Sequence, residues 1–390
     1  MSTSDGSVVS VTKVGDNGPP DQRWNLVLMG DGYQSGQLDQ FHTDASTFCT
    51  AFFATKPFDA LRTAINVFRV DVSSTDSGAD DPTSCGGQNV GSGDVKATYF
   101  DSTFCYDGKI RRLLSCKTDT ARAVADDKTP HYDQILVIVN SATYGGSGGP
   151  VGTTSTGDSN WPTIAIHEMG HSAFGLADEY EYYSGCDSGE TNRNTHDSTE
   201  PTQPNVTVNK DAATLKWKDL TTTAQIPTST NGDCSKCDPR STSPVAAGTV
   251  GAFEGAHYFH CGAYRPEWDC IMRTRTPPFC AVCRDVISRK LTPYSPSSIG
   301  DAGASDYPSS DSSSSDDSSS SSDSSSSDDS SSSDSSSSDD SSSSSSDSSS
   351  SDDSSSSDDS SSSDDSSSSD DSSSSDDSSS SDDSSTRKRR

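Results

Sequence analysis

Two histidines and a glutamate in one short stretch carry the most recognisable chemistry of this chain. His167 and His171 are four residues apart, so on a helix their rings lie on one face and can reach a single metal ion. Glu168 follows the first histidine and can accept a proton from a water molecule at that metal. The H-E-x-x-H pattern is typical of zinc hydrolases. It predicts a zinc ion bound by both histidines, with Glu168 as the general base.

A third protein ligand is expected, because catalytic zinc usually takes three and keeps one position for water. Asp178 and Glu179 are the nearest candidates. A straight helix would carry Asp178 about 10 Å beyond His171, so the chain must turn, and Gly175 can adopt the left-handed conformation that ends a helix. Metzincins place this glycine three residues after the second histidine, whereas Gly175 is four residues after His171. We therefore place Asp178 ahead and keep Glu179 as the alternative.

Two further groups could contribute to such a site. Met272, in the sequence Cys270-Ile271-Met272, resembles the methionine turn that metzincins pack beneath their zinc-binding histidines. Hydrolysis of a peptide also needs a donor that stabilises the oxyanion. Tyr264 and Arg265 are candidates for that role, and a structural turn with Pro266 is the alternative.

The elements that must position these residues are readable from hydrophobic periodicity. Alternating or continuous apolar runs predict strands, and apolar spacing of three to four residues predicts helices. The predicted strands are 23–29, 64–72 and 133–140, the predicted helices are 38–53 and 113–125, and the motif helix begins near Pro162. Strands alternate with helices ahead of the motif, which predicts a mixed α/β (α+β) fold with a mixed sheet and an active-site helix.

Composition divides the 390 residues into unequal parts. Residues 301–390 carry 24 acidic and 4 basic side chains, and therefore account for −20 of the net charge of −31. We predict an N-terminal extension (1–20), a metallopeptidase domain (21–295) and a disordered, acidic Ser/Asp-rich tail with a basic end (296–390).

Acidic charge on both parts argues against a nucleic-acid partner. No apolar run reaches 18 residues, so no membrane span is expected. The tail could make weak calcium or surface contacts.

The cysteines indicate an oxidising compartment. Eleven are present, which is dense for a cytosolic chain, so we predict an extracellular, disulfide-containing protein, although no signal peptide is visible at the start. Cys234/Cys237 and Cys280/Cys283 form two C-x-x-C pairs, for which we favour disulfides over a second, structural zinc. Cys261 and Cys270 flank a short loop that they could bridge. Asn205 lies in a glycosylation sequon.

Several ordered motifs together resemble one known family. The H-E-x-x-H stretch followed by Gly-Leu-Ala-Asp-Glu-Tyr (175–180) is similar to the IgA-peptidase family of zinc metallopeptidases, and the resemblance covers about residues 20–290. Other stretches that agree with it are 30–33, 77–80, 140–141, 144–146, 253–256, 264–266, 270–272 and 279–283. The resemblance implies a zincin-like domain, one catalytic zinc and endopeptidase activity on protein. The specificity of the family's namesake does not follow from these motifs, and the tail lies outside them.

The expected function is therefore that of a zinc-dependent endopeptidase, which hydrolyses peptide bonds of extracellular proteins through metal-activated water with Glu168 as general base. The alternative is a non-catalytic calcium- or surface-binding protein that keeps the metallopeptidase fold as a scaffold. The complete motif favours the enzyme, because a non-catalytic relative would be expected to lose Glu168 or a histidine. A zinc hydrolase acting on another bond is the third possibility.

Overall fold

A computed structural model describes residues 3–182, 195–234, 242–274 and 278–296. The predictions for the Ser/Asp tail, including its disorder and its calcium contacts, fall on residues outside this part of the chain. The α-helices of the described residues are α1 (Leu38–Ala54), α2 (Thr118–Lys128), α3 (Trp161–Phe174), α4 (Ile271–Thr274) and α5 (Ala281–Leu291). The strands are β1 (Gly6–Gly15), β2 (Trp24–Asp31), β3 (Ile65–Ser74), β4 (Ser84–Cys85), β5 (Gln88–Asn89), β6 (Gln134–Val139), β7 (Gly146–Ser147), β8 (Gly152–Ser155), β9 (Glu181–Tyr182), β10 (Phe253–Ala256) and β11 (Tyr258–Arg265).

A six-stranded sheet organises the first half of the chain, in the order β1-β3-β2-β6-β8-β7. The four central strands are parallel, and the two outer strands run antiparallel to their neighbours. The predicted mixed sheet in a mixed α/β fold is therefore confirmed, as are the three predicted strands and helix α1. A smaller sheet, β10-β11-β9, follows the motif helix. In the described part of the chain, no helix has the length and apolarity needed to cross a bilayer.

Two stretches differ from the sequence-based expectation. Residues 6–15, which we assigned to an N-terminal extension, form β1 and pair with β3 along its whole length. This strand is at the edge of the sheet and largely exposed, so its apolar pattern is too weak to predict it. Helix α2 begins at Thr118 rather than near residue 113. The preceding residues are extended, because Leu113 and Ser115 form bridges with Gly146 and Thr103.

Both faces of the six-stranded sheet are covered, which explains the buried character of its central strands. Leu26 and Leu28 of β2 point into a core shared with α1, α3 and α5. Val27 and Met29, which alternate with them, point into a second core that includes α2. Helix α3 is thus packed between the sheet and the C-terminal helices, and this packing fixes the direction in which the histidines of the motif point.

The methionine of the predicted turn packs directly beneath the motif helix, as expected. Met272 is buried, and a Cβ atom placed on Gly170 would lie 2.6 Å from its Sδ atom and 3.1 Å from its Cε atom. The glycine of His-Glu-Met-Gly-His is therefore required by this close approach. It allows α4 to come within contact of α3 one residue before His171.

We expect Gly170→Ala to destabilise the fold by about 1–3 kcal/mol, because overpacking against Met272 outweighs the better helix propensity of alanine. The free energy of unfolding, measured by chemical denaturation, checks this. Gly36→Ala is the matched control, since nothing lies within 4 Å of a Cβ atom at Gly36. Equal stability of the two variants would contradict the contact.

Candidate metal centre

Helix α3 brings the two histidines of the motif together. It begins at Trp161 with Pro162 in its first turn, where the missing N–H and the fixed φ of proline suit a helix start. The Nε2 atoms of His167 and His171 lie 3.2 Å apart, and the two rings are nearly perpendicular. The spacing of four residues therefore has the geometric consequence that the sequence predicts.

The other nitrogen of each ring fixes its protonation. His167 Nδ1 lies 2.9 Å from the carbonyl oxygen of Ile271, and His171 Nδ1 lies 2.7 Å from that of Leu176. A carbonyl oxygen only accepts, so each Nδ1 carries the proton and donates it. In the neutral rings, both Nε2 lone pairs consequently face the same point, which is the tautomer found at metal-binding histidines.

The chain returns to the histidines through a turn at Gly175. Its φ of 65° is left-handed and ends α3, and the amide of Leu176 then donates to the carbonyl of Gly170 at 3.0 Å. Three residues after the glycine, Oδ1 of Asp178 lies 3.0 Å from His167 Nε2 and 3.2 Å from His171 Nε2. The separation of about 10 Å expected along a straight helix is thus abolished by the turn.

Glu179 takes a different direction. Its amide donates to the carbonyl of Met272 at 2.8 Å. One carboxylate oxygen, Oε1, accepts a hydrogen bond from Nδ2 of Asn205 at 2.9 Å. Its side chain lies among three cysteines, not beside the histidines. The structure thus brings Asp178 to the histidines and corrects the alternative that placed Glu179 there, because the bonds to Met272 and Asn205 hold Glu179 on the side of the cysteines.

Charge in the cluster favours a cation between the rings and Asp178. Burial lowers the pKa of His167, but the hydrogen bond to Asp178 and the negative charge of Glu168 outweigh it and raise that pKa to about 9. Burial opposes ionisation of Asp178, yet the two histidines hold the pKa of its carboxyl well below the usual range. A proton supplies positive charge at one nitrogen only, whereas a divalent cation supplies it to all three atoms.

The donor set fits a divalent transition metal. When both Nε2 atoms are unprotonated, the buried Oδ1 of Asp178 has no hydrogen-bond donor among the described residues. Tetrahedral zinc, with bonds of about 2.0–2.2 Å to nitrogen and oxygen, places its ligand atoms roughly 3.3 Å apart. The observed separations of 3.0–3.2 Å are close to this value. Two imidazoles and one carboxylate could therefore hold such an ion.

Glu168 lies next to this centre without belonging to the triangle of His167, His171 and Asp178. Its carboxylate approaches both histidines closely enough for ligand atoms of the three motif residues to lie within 4.8 Å of one another. Its side chain packs against Gly146 of strand β7. Burial raises the pKa of the Glu168 carboxyl above its ordinary value, and the neighbouring histidines act in the opposite direction. A carboxylate of raised pKa beside a metal centre is suited to accepting a proton.

The predicted oxyanion donors are occupied elsewhere. The buried hydroxyl of Tyr264 donates to Oε1 of Glu254 at 3.4 Å, and its backbone pairs with Thr207. The Arg265 guanidinium is buried and donates to the carbonyl oxygens of Glu254, Gly255 and Trp268. No contact described in the structure joins either side chain to the histidines. Both residues lie in strand β11 and pair with β10, so their role is structural, although in a strand and not in the turn that we kept as the alternative.

Tyr258 is the residue of this site that the sequence analysis missed. Its hydroxyl donates to Oδ2 of Asp178 at 2.5 Å, which leaves Oδ1 directed at the histidines. His257 and Tyr258 both have positive φ angles, 53° and 72°, at the turn between β10 and β11. Nothing in the motif spacing points to Tyr258, because its contact with Asp178 spans 80 positions of the chain.

The cysteine and sequon expectations are also revised. Disulfides join Cys85 to Cys105 and Cys234 to Cys261, so the proposed bridge between Cys261 and Cys270 is wrong. Cys280 and Cys283 are not in a disulfide, and Cys237 lies outside the described residues.

Asn205 is fully buried, with its amide bonded to Ala177 and Glu179, so the folded chain cannot carry a glycan there.

Comparison with known proteins agrees with this geometry. No curated protein matches the chain. Residues 12–237 and 240–291 match the family model described as IgA Peptidase M64. The matched region begins within β1 and contains the other strands of the sheet, the motif helix and the segments that carry Asp178, Tyr258 and Met272. Peptidases of this kind are generally metallopeptidases, in keeping with the cluster of metal-ligating side chains. The chain therefore belongs to the IgA peptidase M64 family.

Proposed function

We propose that this protein is a zinc-dependent endopeptidase with a zincin-like fold, in which His167, His171 and Asp178 hold the metal and Glu168 is the general base. The observation that carries the proposal is the convergence of two Nε2 atoms and one carboxylate oxygen within 3.2 Å, with Glu168 beside them. Membership of a peptidase family supports protein as the substrate class.

Zinc, when bound, supplies a Lewis acid that polarises a carbonyl group and lowers the pKa of water to about 7. The residues of the chain perform the remaining tasks. Glu168 accepts a proton from the attacking water at a carboxylate oxygen and delivers it to the nitrogen of the leaving amine. Ile271 and Leu176 hold the protons of the two Nδ1 atoms, so the rings keep the orientation that the site requires.

An extracellular location and extracellular protein substrates are part of the proposal. Two disulfides lie in the described residues, Cys85–Cys105 and Cys234–Cys261. Such bonds persist in oxidising compartments and are rare in the cytosol. Their number and the density of cysteines support an extracellular protein.

The competing role is a non-catalytic binding protein built on the same scaffold. The position of Glu168 argues against it. Binding alone does not require a carboxylate beside the metal centre, whereas catalysis does. Glu168 lies there, and its pKa is raised above the ordinary value. Metal-dependent cleavage of an unfolded protein separates the two functions, since only the enzyme shortens the chain it binds.

We expect Glu168→Gln to lower kcat/KM for an unfolded protein by about 10²–10⁴-fold, because the amide cannot accept the proton. Zinc content and the free energy of unfolding should stay close to those of the wild type. Chelation should abolish the wild-type activity, and added zinc should restore it. Residual turnover near the wild-type level in zinc-loaded Glu168→Gln would refute the assigned role.

We expect Tyr258→Phe to weaken zinc binding at the histidines by roughly 10–100-fold, since loss of an outer hydrogen bond to a ligand has effects of that size. The dissociation constant is measured by competition with a chelating dye. Tyr106→Phe is the matched control, because Tyr106 is exposed at the surface. Unchanged affinity in Tyr258→Phe would mean that Asp178 does not depend on this hydroxyl.

A further inference from the structure

A second cluster of metal-ligating side chains lies on the other side of the segment that carries Asp178. It consists of Glu179, Cys270, Cys280 and Cys283, whose ligand atoms all lie within 4.8 Å of one another. All four residues are at most 1% exposed. None of them belongs to the site described above, and the three cysteines form no disulfide.

The distances fit a tetrahedral metal site and exclude a covalent bond. Sγ of Cys270 and Sγ of Cys283 are 3.9 Å apart, far beyond the roughly 2.05 Å of a disulfide. Oε1 of Glu179 lies 3.4 Å from Sγ of Cys283 and 3.8 Å from Sγ of Cys280. Zinc bonds of about 2.3 Å to sulfur and about 2.1 Å to oxygen require tetrahedral separations of roughly 3.8 and 3.6 Å. The observed values match this pattern.

Backbone amides donate to two of the three sulfur atoms. The amide of Cys280 donates to Sγ of Cys270 at 3.2 Å, and the amide of Cys283 donates to Sγ of Cys280 at 3.4 Å. Cys280 is also the N-cap of the eleven-residue helix α5, where the unpaired amides and the helix dipole stabilise negative charge. Sulfur atoms that accept N–H donors in this way are suited to metal binding.

Glu179 gives an independent indication of a ligand. Its Oε2 atom is buried and has no hydrogen-bond partner among the described residues. Asn205 donates to the other oxygen and so fixes the carboxylate toward the cysteines. A buried carboxylate with an unsatisfied oxygen destabilises the fold unless a cation or a donor compensates it. The carboxylate and the three sulfur atoms thus lie close together with too few hydrogen-bond donors around them. A bound cation would compensate their negative charge.

We propose that Glu179, Cys270, Cys280 and Cys283 bind a second zinc ion in a closed, structural site. Four protein ligands leave no position for water, as in structural rather than catalytic zinc sites. Iron would also accept thiolates, but the carboxylate and the tetrahedral distances favour zinc. The inference requires no step of the proposed peptidase reaction.

A metal at the second site would fix the positions of the residues that support the first site. Cys270 directly precedes Ile271 and Met272, whose carbonyl oxygens accept from His167 Nδ1 and from the Glu179 amide. Glu179 is the neighbour of Asp178. A metal that joins Cys270 to Glu179 therefore ties the turn beneath the histidines to the segment that supplies their carboxylate.

X-ray absorption and metal analysis of the purified full-length protein test the proposal directly. We expect about two zinc ions per chain, with zinc–sulfur scattering at about 2.3 Å in addition to nitrogen and oxygen scattering. A single zinc with nitrogen and oxygen ligands only would overturn the proposal. So would peptide mapping that finds Cys270, Cys280 or Cys283 in a disulfide.

Variants separate this site from the catalytic one. Cys283→Ser should lose the zinc–sulfur signal and about one zinc per chain, whereas Cys116→Ser, which removes another buried free cysteine, should keep both. His171→Ala should lose the other zinc and the peptidase activity but keep the zinc–sulfur signal. Retention of that signal in Cys283→Ser would contradict the ligand set.

If Cys283→Ser does not fold, cobalt in the wild-type chain provides the same information. Tetrahedral cobalt with thiolate ligands shows a sulfur charge-transfer band that histidine and carboxylate ligands do not produce. We expect this band in the wild type and in His171→Ala. Its absence from cobalt-loaded wild type would overturn the proposal, independently of whether the protein proves to be a peptidase.

Discussion

Two carbonyl oxygens of the short helix α4 hold the candidate metal centre together. The oxygen of Ile271 accepts the Nδ1 proton of His167, and the oxygen of Met272 accepts the amide of Glu179. The first bond sets the tautomer and ring direction of a histidine on α3. The second fixes the segment that presents Asp178. A small shift of α4 would disturb both, because a site of this kind tolerates little displacement of its supporting groups.

The part of this arrangement that the sequence predicts is the local part. On a helix, the spacing of His167 and His171 places both rings on one face. Continuous apolar runs predict the buried strands. Gly175 predicts where the helix ends, since the required left-handed turn suits glycine. The sequence cannot decide between Asp178 and Glu179, because they differ by one position. The choice depends on the bond from Glu179 to Met272, which spans most of the C-terminal half of the domain.

The cysteines illustrate the same limit in another way. Two C-x-x-C pairs are compatible with crosslinks, which we favoured, and with a shared metal. In the structure, Cys234 joins Cys261 on strand β11, whereas Cys280 and Cys283 meet Cys270 and Glu179. The difference arises from burial and from the start of helix α5, neither of which is visible in the spacing. A carboxylate completes the second cluster, so a search restricted to cysteine and histidine motifs could not have found it.

The adjacency of Asp178 and Glu179 couples the two centres. Asp178 lies beside the two histidines, whereas the next residue, Glu179, lies beside the cysteines. Both carboxylates are buried, and a buried charge without a partner is costly. Because metals bind the folded arrangement and not the unfolded chain, their binding free energy adds to folding. Cations at the two clusters would therefore add to the stability that the apolar cores already provide, by compensating the buried charge of Asp178 and Glu179.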